Sequence, residues 1–190
     1  QLSNKSSWGG YGELHYNNLE GQGPGVSDTK KVDFHRFVLY FGHEFRDDLR
    51  FFSEFELEHA LVKDIGDSTT TENGPGEVEL EQAYIQYDFN ETTQITSGLF
   101  LMPIGILNET HEPDTFYGVE RNTVEKNIIP STWWEAGVMV TKELKPGLTA
   151  DIALTSGLES KATAYKPRDG RQKVASASAR SLATIGRLKY

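Results

Sequence analysis

The chain has 190 residues, a formal net charge of −9 and no cysteine, and its length suits one compact unit. The negative charge argues against nucleic acid as a partner, because a phosphate backbone is bound by clustered lysine and arginine side chains. The longest obvious apolar run is 37–41, far short of the roughly 18 apolar residues of a transmembrane helix, so a helical membrane protein is excluded.

Polar and apolar residues alternate with a period of two along almost the whole chain, which predicts β-strands. Each predicted strand is close to the length that crosses a bilayer when the strand is tilted. In chain order, the predicted strands are 7–16, 31–45, 50–61, 77–89, 93–101, 134–142, 148–156 and 181–190. The fold class is therefore predicted to be all-β, with about eight antiparallel strands in this chain.

Segment 50–61 shows the alternation most clearly. One predicted face carries Phe51, Ser53, Phe55, Leu57, His59 and Leu61, and the other carries Arg50, Phe52, Glu54, Glu56 and Glu58. A helix would scatter the three glutamates around its circumference, whereas a strand places them on one side. The polar faces of three segments are predicted to line a lumen, through Arg36, Tyr40, Arg50, Phe52, Glu54, Glu56, Glu58, Gln82, Tyr84 and Gln86.

Short and long connections alternate between the predicted strands. The short ones are the polar segments 46–49, 90–92 and 143–147, and the long ones are 17–30, 62–76, 102–133 and 157–180. Transmembrane barrels have tight periplasmic turns and long outer loops, whereas a soluble sandwich has no reason to sort its loops by length. This pattern favours a transmembrane β-barrel.

Two of the long connections have a distinctive composition. The segment 102–133 is too apolar for a free loop and too long for a passive link, so we expect it to fold into the lumen and narrow it. Packing on neighbouring loops or on a partner subunit is the alternative. Segment 157–180 is rich in serine, alanine and basic residues, which is typical of a mobile outer loop.

Several aromatic residues fall near the ends of the predicted strands. They are Trp8, Phe45, Tyr87, Phe89, Trp133, Trp134 and Tyr190. Amphipathic rings favour the membrane interface, so this placement predicts an aromatic belt. The alternative is that these residues are ordinary core aromatics.

Scattered motifs along nearly the whole chain resemble a bacterial family of outer-membrane porins related to the phosphate-selective porin O and P group. They are 10–16 (GYGELHY), 32–36 (VDFHR), 79–84 (ELEQAY), 98–105 (GLFLMPIG), 119–122 (VERN) and 128–133 (IIPSTW). The resemblance implies a homotrimer in the outer membrane of a Gram-negative bacterium, in contact with lipid and lipopolysaccharide. It also implies a barrel of about 16–18 strands, of which residues 1–190 would be the N-terminal half. A complete eight-stranded barrel is the alternative.

The predicted lumen departs from the family in its charge. Phosphate-selective porins are expected to line their pore with arginine and lysine, whereas the clearest predicted wall here is Glu54, Glu56 and Glu58. Phosphate selectivity is therefore not carried over. Two interpretations of these glutamates stay open. Their carboxylates could raise the local cation concentration in the lumen, or they could form a solvated polar wall with little selectivity between ions.

The predicted topology brings histidines and carboxylates to the outer rim, where imidazole and carboxylate together suit a divalent transition metal. The candidate ligands are His15, His35, His59, Glu109, His111, Glu112, Asp114 and Glu120. The alternative is an ordinary charged outer surface, because tight ligand spacing is missing. No other cofactor is predicted.

No catalytic triad or phosphate-binding glycine motif is recognisable, so an enzyme is not predicted. The sequence favours a channel for passive diffusion of small hydrophilic solutes or ions. Two alternatives remain: a barrel that binds a divalent metal at its outer rim for uptake, and a soluble lipocalin-like carrier.

Overall fold

A computed structural model describes residues 5–62, 76–115, 117–118, 122–124, 131–159 and 166–190. It contains eight strands, whose bounds are β1 Lys5–Leu19, β2 Thr29–Arg46, β3 Leu49–Glu58, β4 Val78–Asn90, β5 Thr93–Leu101, β6 Trp134–Lys145, β7 Leu148–Thr155 and β8 Ala183–Lys189. Two short 3-10 helices, Pro113–Thr115 and Pro167–Gly170, lie in the long connections. In the described part of the chain, no helix has the length and apolar character needed to span a membrane.

The strands form one sheet in which each strand lies beside its neighbours in the sequence, in the order β1 to β8. The pairs from β4 to β8 are antiparallel. The predicted all-β antiparallel class and the count of eight strands are thus confirmed. Strands β1 and β8 stand at the two ends of this order, and closure into a barrel stays a prediction.

Three tight turns follow from local sequence. Asp47–Asp48, Glu91–Thr92 and Pro146–Gly147 join consecutive strands. In the second turn, the Asn90 side chain accepts a hydrogen bond from the Thr92 backbone N–H at 3.0 Å. In the third, Gly147 has a φ of +81°, a conformation that favours glycine. The predicted strand bounds differ from the observed ones by at most three residues.

The chain divides into two compact units. Unit 1 consists of Gln1–Lys5, His43–Phe52 and Glu81–Tyr190, and unit 2 consists of Ser6–Gly42 and Ser53–Leu80. In unit 1 the buried apolar cluster contains Phe100, Met102, Trp133 and Ala153. Met102 and Trp133 belong to the two ends of the long connection 102–133, so the ends of this connection pack against the sheet.

Basic side chains between residues 166 and 180 contact other parts of unit 1. Arg168 donates to the Ser131 carbonyl at 2.9 Å, and Arg171 donates to the Thr132 carbonyl. Lys173 lies 5.6 Å from the ring centre of Trp134. The basic side chains therefore bind a neighbouring connection of unit 1, and the mobility of segment 157–180 stays a prediction.

The predicted aromatic belt is wrong at two positions. Trp133 and Trp134 are buried, and the Trp133 indole N–H donates to the Glu135 carboxylate at 2.8 Å. Trp8, Phe45, Phe89 and Tyr190 are exposed, as a belt requires.

Candidate functional site

The polar face of unit 1 forms the wall of a cavity of about 680 Å³. Strand pairing explains why polar residues share this face, since Tyr84 lies opposite Gly98 and Gln86 lies opposite Thr96. Alternate residues of the strands contribute to the lining, which includes Phe52, Gln82, Tyr84, Gln86, Gln94, Thr96, Met139, Thr141, Thr149, Asp151, Arg187 and Lys189. The arrangement is a continuous concave surface of mixed polarity.

One group of hydrogen bonds ties three strands together at the short-turn end of this face. Arg50 donates to Gln86 and to Asp88, both at 2.7 Å. The Gln94 amide donates to Asp88 at 2.9 Å and accepts from Gln86 at 2.6 Å. The charge of Arg50 is therefore balanced by Asp88, which sequence reasoning had not included in the lining.

A second group of polar contacts joins the sheet to the long connection 102–133. Arg187 donates to Asp151 at 2.8 Å and also binds the carboxylate of Glu109. Asp151 accepts a further hydrogen bond from Thr141 at 2.7 Å. Because Glu109 lies in the connection and Arg187 lies in β8, this ion pair holds the described start of the connection, 102–115, against the cavity wall.

Asn108 fixes the start and the end of the same connection to each other. Its amide donates to the Met102 carbonyl at 2.8 Å and to the Trp133 carbonyl at 2.7 Å. Its oxygen accepts from the Trp133 backbone N–H at 2.7 Å. The side chain is 1% exposed, so these three bonds replace the water that the amide loses on folding.

Nearby, His111 is buried between the connection and the sheet. Its Nδ1 lies 2.9 Å from the Asn108 carbonyl, and its Nε2 lies 3.2 Å from Glu81 and 3.5 Å from Glu112. Glu81 is itself buried. The described ends of the connection 102–133 are therefore anchored by polar contacts as well as by Met102 and Trp133.

The opposite face of unit 1 is apolar and exposed. Its members at mid-strand positions include Ile85, Val138, Val140, Ile152 and Leu154. The pairing of Val140 with Ile152 places two of them side by side. Charged Asp151 is buried, whereas its neighbour Ile152 is 62% exposed. In a soluble protein, apolar side chains are usually buried and charged side chains exposed, so the distribution here is inverted.

Unit 2 shows the same inversion. Arg36 binds Glu13 at 2.9 Å and lies 3.4 Å from Glu56. Glu54 and Glu56 are only 1% and 3% exposed. Two of the three glutamates of the predicted wall are therefore shielded from solvent, whereas Glu58 is half-buried.

The exposed side of unit 2 is apolar, with Trp8, Leu14, Tyr16, Val32, Phe34, Phe37, Leu39 and Phe55 on the surface. Trp8 contacts Phe41 with ring centres 4.5 Å apart. Aromatic and aliphatic residues thus cover the surface side of β1 to β3, where an ordinary soluble sheet would present polar residues.

Three histidines and an aspartate gather at the end of unit 2 that carries the long connections. Nδ1 of His59 lies 2.8 Å from Asp33, and Nδ1 of His35 lies 3.3 Å from the same carboxylate. The ring of His15 stacks on that of His35, with centres 4.5 Å apart and planes 7° apart. His15 in turn contacts Glu13 at 2.5 Å.

Two departures from strict alternation create this histidine cluster. In β2, Phe34 and Phe37 are exposed whereas His35 and Arg36 between them are both shielded, so the alternation slips by one residue. Strand β3 ends at Glu58, and His59 follows with a φ of +52°. The prediction that His59 shares the face of Phe55 is wrong, because the strand ends before it.

The predicted pore-lining residues are placed as follows. Phe52, Gln82, Tyr84 and Gln86 line the cavity of unit 1, and Arg50 joins them through its hydrogen bond to Gln86. In unit 2, Tyr40 contacts Tyr11 with ring centres 6.5 Å apart, and the Glu58 backbone N–H donates to the Glu77 carbonyl at 2.9 Å. Their pore-lining role stays a prediction.

The predicted metal ligands are divided between the two units. His15, His35 and His59 lie together in unit 2, whereas Glu109, His111, Glu112 and Asp114 belong to unit 1. Glu109 forms an ion pair with Arg187, and Asp114 is exposed in the first 3-10 helix. Glu120 lies outside the described residues. Asp33, two residues before His35 in the sequence, contacts both His35 and His59.

Sequence reasoning also missed the charged residues of β7 and β8. Asp151 and Arg187 are directly paired in the strand register, and each alternates with apolar neighbours. The alternation therefore contained the signal, but the partner of each charge depends on the register.

No family model matches the chain. The chain is 36% identical over 194 residues to an uncharacterized protein of Aquifex aeolicus (strain VF5). The alignment covers 100% of the chain and 42% of that relative, so the chain spans less than half of its length.

Proposed function

We propose that this chain is part of a transmembrane β-barrel in the outer membrane of a Gram-negative bacterium. Its polar face would line a water-filled channel for passive diffusion of small hydrophilic solutes or ions. The observation that carries the proposal is the inverted distribution of side chains in both units, with apolar residues on the surface and charged residues shielded.

The physical argument concerns the exposed apolar residues. Apolar surface in water costs about 25 cal/mol per Å², and soluble monomers rarely expose large contiguous apolar patches. Ile152 and Val140 are paired at mid-strand on the surface, where a solvated sheet would place polar residues. In contact with lipid chains this surface carries no such cost, and alternating strands of this kind are typical of transmembrane barrels.

The polar side supports a weak rather than a strong charge selectivity. Arg50 is paired with Asp88, and Arg187 is paired with Asp151. Such pairs cancel much of the local electric field. We therefore propose that the channel conducts cations and anions, with a modest preference for cations. The acidic balance of the chain, a net charge of −9, gives the sign of that preference.

The assembly is part of the proposal. The porin-like motifs imply that these eight strands belong to a larger barrel and that the barrel is a homotrimer, in contact with lipid and lipopolysaccharide. The match to 42% of a longer relative is compatible with a larger barrel. The connection 102–133, whose residue Glu109 is paired with Arg187 at the cavity wall, would narrow the channel.

Reconstitution of the purified full-length protein into planar bilayers tests the proposal. We expect stepwise conductance, and a salt gradient should give a reversal potential that indicates a modest cation preference. Folded protein that leaves bilayers silent would overturn the channel. A folded monomer that needs no detergent would favour the soluble carrier instead.

A pair of lysine variants tests which surface conducts. Thr149 lines the cavity, so Thr149→Lys should shift the reversal potential toward anions. Ser27 is exposed in the connection between β1 and β2, and Ser27→Lys is the matched control. Equal shifts for both variants would show that the polar face of unit 1 does not line the conducting path.

A further inference from the structure

We propose that Asp33, His35 and His59 bind one divalent transition-metal ion of the zinc class. This inference goes beyond the proposed channel and does not rest on it, because it concerns only contacts within unit 2. The three residues present one carboxylate oxygen and two imidazole nitrogens that all lie within 4.8 Å of one another.

The distances fit a metal after a small adjustment. A tetrahedral ion with ligand bonds of about 2.0–2.1 Å holds its ligand atoms about 3.3 Å apart. Asp33 and His35 already stand 3.3 Å apart, whereas Asp33 and His59 stand 2.8 Å apart. The contact between Asp33 and His59 needs to widen by about half an ångström on this tetrahedral geometry, and all three ligand atoms lie within 4.8 Å of one another.

The residues are also accessible and held in place. Between 16 and 32% of the side-chain surface of Asp33, His35 and His59 is exposed, so an ion can reach them from solvent. The backbone fixes their spacing, since the His59 N–H donates to the His35 carbonyl at 3.1 Å. A mixed nitrogen and oxygen donor set of this kind suits Zn²⁺, Co²⁺, Ni²⁺ or Cu²⁺ rather than Mg²⁺ or Ca²⁺.

Neighbouring residues support the orientation of one ligand. The stacked ring of His15 restricts the ring of His35. Glu13 contacts His15 at 2.5 Å and is itself bound by Arg36 at 2.9 Å. These contacts restrict the orientation of the His35 ring beside Asp33.

Calorimetry of the purified full-length protein in detergent with Zn²⁺ tests the proposal. We expect one equivalent to bind with a dissociation constant in the micromolar range or below. The double variant His35→Ala/His59→Ala should weaken that binding at least tenfold, and His43→Ala is the matched control that should leave it unchanged. His43 is outside the cluster and contacts Phe45 instead.

Electron paramagnetic resonance of the wild-type protein with one equivalent of Cu²⁺ keeps the test independent of variant folding. Two coordinating nitrogens are the expected signature. Three results would each overturn the site. They are calorimetry without binding of one equivalent of Zn²⁺, a Cu²⁺ spectrum without nitrogen coupling, and equal Zn²⁺ binding by the double variant. Because no conductance is measured, failure of the channel would leave these results unaffected.

Discussion

The substitution Ile152→Arg separates a lipid-facing surface from a water-facing one. Ile152 lies in the middle of β7, is 62% exposed and pairs with Val140 and Gly186 on neighbouring strands. On the lipid side of a barrel, arginine near the bilayer midplane costs about 2–4 kcal/mol. That cost lowers the folded-to-unfolded ratio by about 30- to 1000-fold. On a surface in water, the same change shifts stability by about 0.5 kcal/mol or less.

Ile106→Arg is the matched control for this experiment. Ile106 is 81% exposed, but it lies in the connection 102–133 outside the strands. We therefore expect it to change the free energy of unfolding by about 0.5 kcal/mol or less. The assay is urea unfolding of the full-length protein in lipid vesicles, followed by tryptophan fluorescence. Equal, small effects of both substitutions would refute the reasoning, because burial in lipid is the only difference that predicts a larger cost at Ile152.

Three further predictions are checked by the same unfolding measurement. Arg187→Met removes the guanidinium that pairs with buried Asp151 and keeps the hydrogen bond from the Thr141 hydroxyl. We expect the free energy of unfolding to fall by about 1–3 kcal/mol. The control Lys189→Met should change it by about 0.5 kcal/mol or less. Asn108→Ala removes three buried hydrogen bonds and should cost about 2–3 kcal/mol; a neutral result would show that the connection is not anchored there. Gly98→Ala would place a Cβ 2.4 Å from the Ala83 carbonyl oxygen at a φ of +133°, so a cost above about 2 kcal/mol is expected, and an unchanged midpoint would contradict that backbone geometry.

The strands could be predicted from the sequence because a period of two is a local property. The alternation of Ile152 with Asp151 and Ala153 is visible without knowledge of any partner strand, and so are the turns at Asp47–Asp48 and Pro146–Gly147. The antiparallel order followed from these short connections.

The histidine cluster could be predicted only in part. Its residues share one end of the sheet, which the topology indicated, but the cluster depends on the slip in β2 between His35 and Arg36 and on the end of β3 before His59. Neither feature has a local sequence signal as strong as alternation.

Burial by distant segments was beyond the sequence. Glu54 and Glu56 fall on the predicted face, yet their shielding depends on what packs over that face. Likewise, Trp134 is buried with Lys173 above its ring, a contact between segments far apart in the chain. Composition also does not reveal which carbonyls the basic side chains around Lys173 bind.

Accessibility of single positions along β6 distinguishes a lipid-facing side of the strand from a water-facing side. The chain contains no cysteine, so single cysteines at 138, 139, 140 and 141 can be compared in the full-length protein in lipid vesicles. Positions 139 and 141 line the cavity, whereas 138 and 140 are on the apolar face. We expect a charged, water-soluble thiol reagent to modify cysteines at 139 and 141 and to spare those at 138 and 140. Modification of 138 and 140 at the same rate or faster would contradict this expectation.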